Sequence, residues 1–93
     1  MDKIYVDSLG FSIVVETDID LTNATETTLL IRKPNGGDVI WSADKYETTK
    51  MAYLLQAGDL SEKGIYKIQA KAVFSDKILY GSTLPFRVWD FWE

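Results

Sequence analysis

Residues 57–74 read AGDLSEKGIYKIQAKAVF, and this stretch decides the fold. In its second half the even-numbered residues from Tyr66 to Phe74 are all apolar, and the residues between them are mostly polar. Alternation with a period of two is typical of a β-strand that buries one face. The sequence therefore predicts a strand whose even-numbered side chains face a core.

The first half of the stretch carries Asp59, Gly64 and Tyr66 at the spacing Asp-x4-Gly-x-Tyr, directly before that strand. This spacing resembles the tyrosine corner of immunoglobulin-like domains, where a Tyr at the start of the sixth strand sends its hydroxyl back to the upstream backbone. We therefore expect these three residues to form a structural corner that does no chemistry. A Tyr that simply packs in the core is the alternative.

Segments on either side of this strand also have strand character, with turn residues about every ten positions. Pro34-Asn35-Gly36-Gly37 predicts a chain reversal, because Asn-Gly supplies the positive φ that a tight hairpin needs. Pro85 predicts an edge strand or a bulge, because proline cannot donate to a sheet ladder. The further predicted strands are 11–16, 27–33, 38–42, 50–56 and 78–88.

This pattern predicts an all-β fold, an immunoglobulin-like antiparallel β-sandwich of about seven strands, with a small barrel as the alternative. The 93 residues form a single domain, 1–93, because the chain is short and no linker interrupts it.

The composition argues against catalysis. The chain has no Cys and no His, so it lacks thiolate nucleophiles, the commonest general base and the commonest transition-metal ligand. The acidic run Glu16, Asp18 and Asp20 does not fit a calcium loop, because Asn23 stands where such a loop needs Gly. We expect that run to be a solvated strand end or turn. We predict no enzyme activity, no catalytic residue, no metal site and no cofactor.

Charge and hydropathy also bear on the partners. The net charge is −4, and the ten Lys and Arg residues form no cluster along the sequence, which disfavours direct nucleic-acid binding. No apolar run is long enough to span a bilayer, and the first residues do not have the pattern of a signal peptide. We expect neither nucleic-acid nor membrane partners.

Three aromatic residues, Trp89, Phe91 and Trp92, crowd the last five positions. Chain ends are usually polar and frayed, so an aromatic end must either close the core or dock on a partner. Both alternatives stay open at this point. In the docking hypothesis these three residues are the partner-binding residues.

Four segments together resemble small immunoglobulin-like virion structural proteins of tailed bacteriophages and prophages. They are Ile4-Tyr5-Val6 with Gly10, residues 18–25, Lys33-Pro34-Asn35-Gly36 followed by Trp41, and residues 56–60 leading to 64–70. The resemblance covers nearly the whole chain and lies in turns and packing positions. It departs from the family pattern at residues 7–10, where a Gly-Asp-x-Gly type of turn is expected.

The resemblance implies a non-enzymatic structural or accessory component of the virion, in the head, neck or tail. Its partners would be other virion proteins (capsid, neck or tail), with a homo-oligomer within the particle as a further expectation. The protein would be made in the bacterial host cytoplasm and would end in the virion. The alternative is a carbohydrate-binding or host-adhesion module of a phage tail or baseplate, with Trp41, Tyr46 and Tyr53 as an exposed sugar platform.

Overall fold

The computed structural model describes residues 3–93, and every regular element in that range is a β-strand. Nine strands follow one another within residues 3–93: β1 (Ile4–Tyr5), β2 (Ser12–Glu16), β3 (Glu26–Arg32), β4 (Asp38–Ser42), β5 (Asp44–Tyr46), β6 (Lys50–Leu54), β7 (Gly64–Val73), β8 (Ile78–Tyr80) and β9 (Leu84–Trp89). The expectation of an all-β fold is confirmed, and the described part of the chain has nine strands rather than about seven.

The strands form two sheets. The larger sheet has the order β1-β9-β7-β3-β4, with β8 paired to the far end of β7, and the smaller sheet has the order β2-β6-β5. All pairs are antiparallel except β1 with β9. In immunoglobulin lettering the smaller sheet is B-E-D and the larger sheet contains C′-C-F-G. The fold is therefore an immunoglobulin-like sandwich.

Aromatic pairs help to hold the two sheets together. Trp41 on β4 stacks on Tyr53 of β6 with ring centroids 4.5 Å apart, which joins the larger sheet to the smaller one. Within the larger sheet Tyr66 stacks on Phe86 at 5.1 Å. The even-numbered side chains of β7 from Tyr66 to Ala72 are buried, as the alternation predicts. The core uses close packing of these large rings in place of a disulfide.

The β3–β4 hairpin reverses at the predicted position. The Gly36 N–H donates to the Lys33 carbonyl at 2.9 Å, and the Lys33 N–H donates to the Gly37 carbonyl at 2.7 Å. Gly36 has φ of 91°, and the Asn35 side-chain oxygen accepts the Gly37 N–H at 2.7 Å. The reversal is thus confirmed, and Gly36 supplies the positive φ that lets it close.

The predicted return strand over 78–88 is divided into β8 and β9. The division falls at Gly81, whose N–H donates to the Ala70 carbonyl and whose carbonyl accepts the Gln69 side-chain amide. Pro85 on β9 pairs with Lys67, on a part of β9 that β1 does not reach, since β1 covers only Val88 and Trp89. The predicted edge position of Pro85 is therefore confirmed.

Candidate binding surfaces

The corner consists of Asp59, Gly64 and Tyr66. Tyr66 is completely buried, and its hydroxyl donates to the Glu62 carbonyl at 2.9 Å and accepts the Glu62 N–H at 3.3 Å. Burial raises the pKa of the Tyr66 hydroxyl above its ordinary value. This hydroxyl therefore stays protonated and serves to fix the loop before β7 to the start of that strand.

Asp59 fastens the same loop to the smaller sheet. Its carboxylate accepts the Tyr53 hydroxyl at 2.6 Å and the Gln56 N–H at 2.8 Å. Burial, helped by the bond to Asp59, raises the pKa of Tyr53 to about 12. Sequence reasoning singled out Asp59 and missed its bond to Tyr53, which lies six residues upstream and shows no motif.

Gly64 begins β7 in a conformation that few other residues can adopt, with φ of 125°. A Cβ at this position would lie 2.8 Å from the Cβ of Pro34. The corner therefore packs directly against the β3–β4 hairpin. Within the corner, the Tyr66 hydroxyl and the Asp59 carboxylate both make hydrogen bonds inside the domain.

Trp89 lies on the outer face of the larger sheet, opposite Tyr5 of β1. Two cations lie over its ring, with the Lys3 Nζ 4.4 Å and the Arg87 Cζ 3.9 Å from the centroid. Such contacts attract because the face of an aromatic ring is electronegative. Trp89 is half-buried and held in place by these two side chains.

The C-terminal turn, residues 90–93, is tied down by hydrogen bonds. The Asp90 N–H donates to the Glu93 side chain at 2.8 Å, and the Glu93 N–H donates to the Asp90 carbonyl at 3.3 Å. The Tyr5 hydroxyl donates to the Glu93 carbonyl at 3.1 Å, and Lys63 pairs with Asp90 at 3.6 Å. The end of the chain is therefore a structured turn that is fastened to β1 and to the corner loop.

The turn presents two aromatic side chains to solvent. Trp92 is fully exposed and Phe91 is 54% exposed. Trp92 also has φ of 73°, a conformation that is sparsely populated for a bulky residue. The core-closure alternative is therefore wrong for Phe91 and Trp92, because neither ring reaches the core. Docking on a partner remains a prediction for the two rings and for the half-buried Trp89.

The outer face of the larger sheet gathers positive charge. Arg32 lies opposite Lys67, and Lys71 and Arg87 follow on the same face of β7 and β9. Asp38 neutralises Arg32 through two bonds of 2.8 and 3.1 Å. A groove of about 410 Å³ crosses this face beside Leu30, the half-buried Gln69 and the exposed Ile40 and Thr83. These cations are scattered along the sequence, and strand pairing brings them together on one face.

The alternative function needs Trp41, Tyr46 and Tyr53 to form an exposed platform for a sugar, and this expectation is wrong for Trp41 and Tyr53. Trp41 is only 5% exposed, and Tyr53, stacked against it, spends its hydroxyl on Asp59. Tyr46 is exposed, but it lies on β5 in the smaller sheet. Because a sugar platform needs several exposed rings in one plane, these three residues do not form one.

The acidic run closes its own turns, as expected. The Glu16 carboxylate accepts the Asp18 N–H at 2.9 Å, and the Asp20 carboxylate accepts the N–H and the hydroxyl of Thr22. These hydrogen bonds lower the pKa of both carboxyls. Within residues 3–93, no group of three His, Cys, Asp or Glu side chains could hold a metal ion. The same residues include no helix long and apolar enough to cross a membrane.

Comparisons with known proteins add no relative to this picture. No protein-family model, no curated protein and no solved structure matches the chain. The assignment to the immunoglobulin-like fold therefore rests on strand order and the corner geometry.

Proposed function

We propose that this domain is a non-enzymatic accessory component of a tailed-phage virion, in the head, neck or tail, and that it binds other virion proteins. The observation that carries the proposal is the C-terminal turn, which holds Phe91 and Trp92 away from the core. The virion setting is supported by the resemblance of the turn and corner motifs to small virion proteins.

The geometry of the turn favours protein binding. Trp is among the residue types that most often dominate the binding energy of protein interfaces. The backbone of the turn is already fixed by bonds from Tyr5, Asp90 and Glu93, so a partner would not have to order it. Binding costs less free energy when the binding segment is ordered beforehand. Trp92 has a φ of 73°, and backbone conformations that are this sparsely populated cluster at functional sites. This conformation therefore also supports a binding role for the turn.

The chemistry of the chain supports a binding role over catalysis. The sequence contains no Cys and no His, and the buried Tyr53 and Tyr66 hydroxyls are both occupied by structural hydrogen bonds. Their pKa values are raised, which is the direction opposite to that of an activated nucleophile. The mechanism we propose is therefore binding through a surface that is complementary to the partner protein.

The virion setting is tested by mass spectrometry of purified particles of the phage whose genome encodes this chain. We expect the chain to be present in many copies per particle. An inventory of structural proteins that lacks the chain would overturn the proposal.

The binding role of the turn is tested by incorporation of a double variant, Phe91→Ser with Trp92→Ser, into those particles. We expect the affinity for the particle to fall by about 30-fold, the equivalent of roughly 2 kcal/mol for loss of an interface hot spot. The control is Ile78→Ser with Tyr80→Ser, which removes one aliphatic and one aromatic side chain that are each about half exposed on β8. Equal incorporation of both variants and the wild type would contradict the role of the turn.

A further inference from the structure

The first strand of this domain leaves the edge of β2 uncovered. In the usual immunoglobulin order the smaller sheet is A-B-E-D, so strand A lies beside strand B. Here β1 pairs with β9 in the larger sheet, and β2, the equivalent of strand B, pairs only with β6 in the part of the chain that the structure describes. One side of β2 is thus open where the fold ordinarily places a strand.

The hydrogen bonds around β2 show which backbone groups face this open side. The Thr17 N–H donates to the Thr49 carbonyl, and the Phe11 carbonyl accepts the Leu55 N–H, so the odd-numbered positions are bonded to the β6 side. Bonded pairs alternate along an antiparallel ladder. The N–H and C=O groups of Ser12, Val14 and Glu16 therefore point to the open side.

The sequence of β2 carries few of the features that usually protect an edge. Proteins protect edge strands with proline, lysine, bulges or a covering segment, because an open edge pairs with other chains. β2 reads SIVVE and contains no proline, glycine or lysine. Val14 is 48% exposed on its outer face, beside Ala52, and the half-buried Ile13 lies at the edge of the core. An added strand would bury apolar surface on both faces of the sheet.

We infer that β2 pairs antiparallel with β2 of a second copy of this chain, around a two-fold axis at Val14. Val14 would lie opposite the partner's Val14, Ser12 opposite the partner's Glu16, and Ile13 opposite the partner's Val15. The two three-stranded sheets would become one continuous six-stranded sheet. An interface of this kind is isologous, which is the commonest symmetry of protein dimers.

The side chains of β2 and β6 favour this register over its neighbours. On the outer face of the joined sheet, Val14 and its neighbour Ala52 would lie beside Val14 and Ala52 of the second copy, so apolar side chains would contact apolar side chains. Glu16 would lie between Lys50 of its own chain and Ser12 of the second copy. A register centred on Glu16 would place two carboxylates opposite each other, which is destabilising. Self-pairing at Val14 thus brings no like charges together, and this complementarity is the reason to assign a second copy as the occupant.

The β2 edge is separate from the C-terminal turn. The turn follows β9 and contacts β1, both in the larger sheet, whereas β2 belongs to the smaller sheet. The inference therefore does not depend on the virion proposal. The double variant Phe91→Ser with Trp92→Ser should dimerise as the wild type does. Failure of the β2 pairing can therefore be distinguished from failure of the binding role of the turn.

The test is sedimentation equilibrium of the full chain over a concentration series. We expect the molar mass to approach twice that of the single chain as the concentration rises. Val14→Pro removes an N–H on the open side and leaves the ladder to β6 intact, and it should weaken dimerisation at least about tenfold. Val14→Lys places two ammonium groups at the two-fold axis and should have a similar effect, partly reversed by added salt.

The control is Ile40→Lys, which places the same charge on β4, an edge strand of the larger sheet, where Ile40 is exposed. This variant should dimerise normally. A wild-type chain that stays monomeric up to its solubility limit would overturn the inference. A dimer that Ile40→Lys dissociates and the folded Val14→Lys variant does not would also overturn it.

Amide hydrogen exchange gives a second, direct readout on the wild-type chain. The amides of Ser12, Val14 and Glu16 should become protected as the concentration rises, whereas those of Ile13 and Val15 should be protected at all concentrations. If the three outward amides exchange freely in a sample that sedimentation shows to be dimeric, the pairing is not along β2.

Discussion

Tyr66 lies on β7 of the larger sheet and Trp92 lies on the turn that follows β9 of the same sheet. Tyr66 is fully buried, whereas Trp92 is fully exposed. The hydroxyl of Tyr66 is bonded twice to Glu62, and its ring stacks on Phe86. Trp92 lies on a turn whose bonds are made by its neighbours and by Tyr5. The corner thus uses its aromatic residue to stabilise the domain, and the C-terminal turn leaves its aromatic residues available to other molecules.

This difference separates stability from binding within one small domain. Changes in the corner should lower the free energy of unfolding, because they act on buried and fully bonded groups. Changes in the turn should alter association while the fold stays intact. If changes in the turn lowered stability more than changes in the corner, the two regions would not differ in this way.

The largest effect is expected for Gly64→Ala. The new Cβ would lie 2.8 Å from the Cβ of Pro34, at a backbone φ of 125° that side chains rarely adopt. Backbone strain alone costs about 1–3 kcal/mol, and the contact adds to it, so we expect a loss of about 3 kcal/mol or more. Urea unfolding measures the loss. Gly58→Ala is the matched control, since Gly58 has φ of 88° but no neighbour within 4 Å, and it should cost less.

The bond between Tyr53 and Asp59 predicts a loss of stability at high pH. Burial raises the pKa of Tyr53 from 10.0 to about 12, so the folded state holds this proton more tightly than the unfolded state does. That stabilisation is complete below pH 10 and is lost as the pH rises from 10 through 12. Urea midpoints measured across this range should fall.

Tyr53→Phe is the control for that pH dependence. It removes the titrating group, so the variant should be less stable than the wild type below pH 10 and should lose less as the pH rises. Because the pKa of Tyr66 is also raised, part of the decline should remain. A variant whose decline matches that of the wild type would show that Tyr53 titrates normally in the folded state.

Tyr66→Phe tests the corner bond itself. The ring and its stacking on Phe86 remain, and only the bonds to Glu62 are lost. Each buried hydrogen bond contributes about 1 kcal/mol, so loss of the two should cost at least about 1 kcal/mol and lower Tm by at least about 4–8 °C in a domain of this size. Thermal unfolding followed by circular dichroism measures the shift. An unchanged Tm would mean that water replaces the hydroxyl and that the corner does not depend on it.

The sequence predicts the corner and the central strands because their signals are local. The alternation from Tyr66 to Ala72 corresponds to buried and outward positions on β7, whereas Phe74, the last residue of the pattern, lies past the end of the strand and is half-buried. The turn residues at 34–37 mark the β3–β4 hairpin. In both cases the residues that determine the conformation lie within a few positions of each other. Local backbone and side-chain preferences are then sufficient.

Features that depend on distant pairing are not evident from the sequence. The break between β8 and β9 depends on hydrogen bonds that join Gly81 to Ala70 and Gln69, which lie on β7 and not near Gly81 in the sequence. The positive outer face joins residues of β3, β7 and β9, whose register no local pattern specifies. The placement of β1 beside β9, which leaves β2 open, is equally a result of tertiary packing.

The exposure of the C-terminal aromatic residues was undecidable from the sequence for a related reason. The sequence around Trp92 looks the same whether the ring packs in the core of its own domain or against a partner protein. Only the position of the turn beyond β9, fixed by the bond from Tyr5 to Glu93, places Phe91 and Trp92 outside.

The smallest effect on stability is expected for the double variant Phe91→Ser with Trp92→Ser. Exposed side chains contribute little to folding, so the free energy of unfolding should change by no more than about 0.5 kcal/mol. Urea unfolding beside Tyr66→Phe measures both regions in the same assay. A loss for the double variant equal to that of Tyr66→Phe would mean that the two rings stabilise the domain, and the contrast between corner and turn would then be false. A loss within 0.5 kcal/mol, together with weaker binding to the particle, would make the turn a surface that serves association alone.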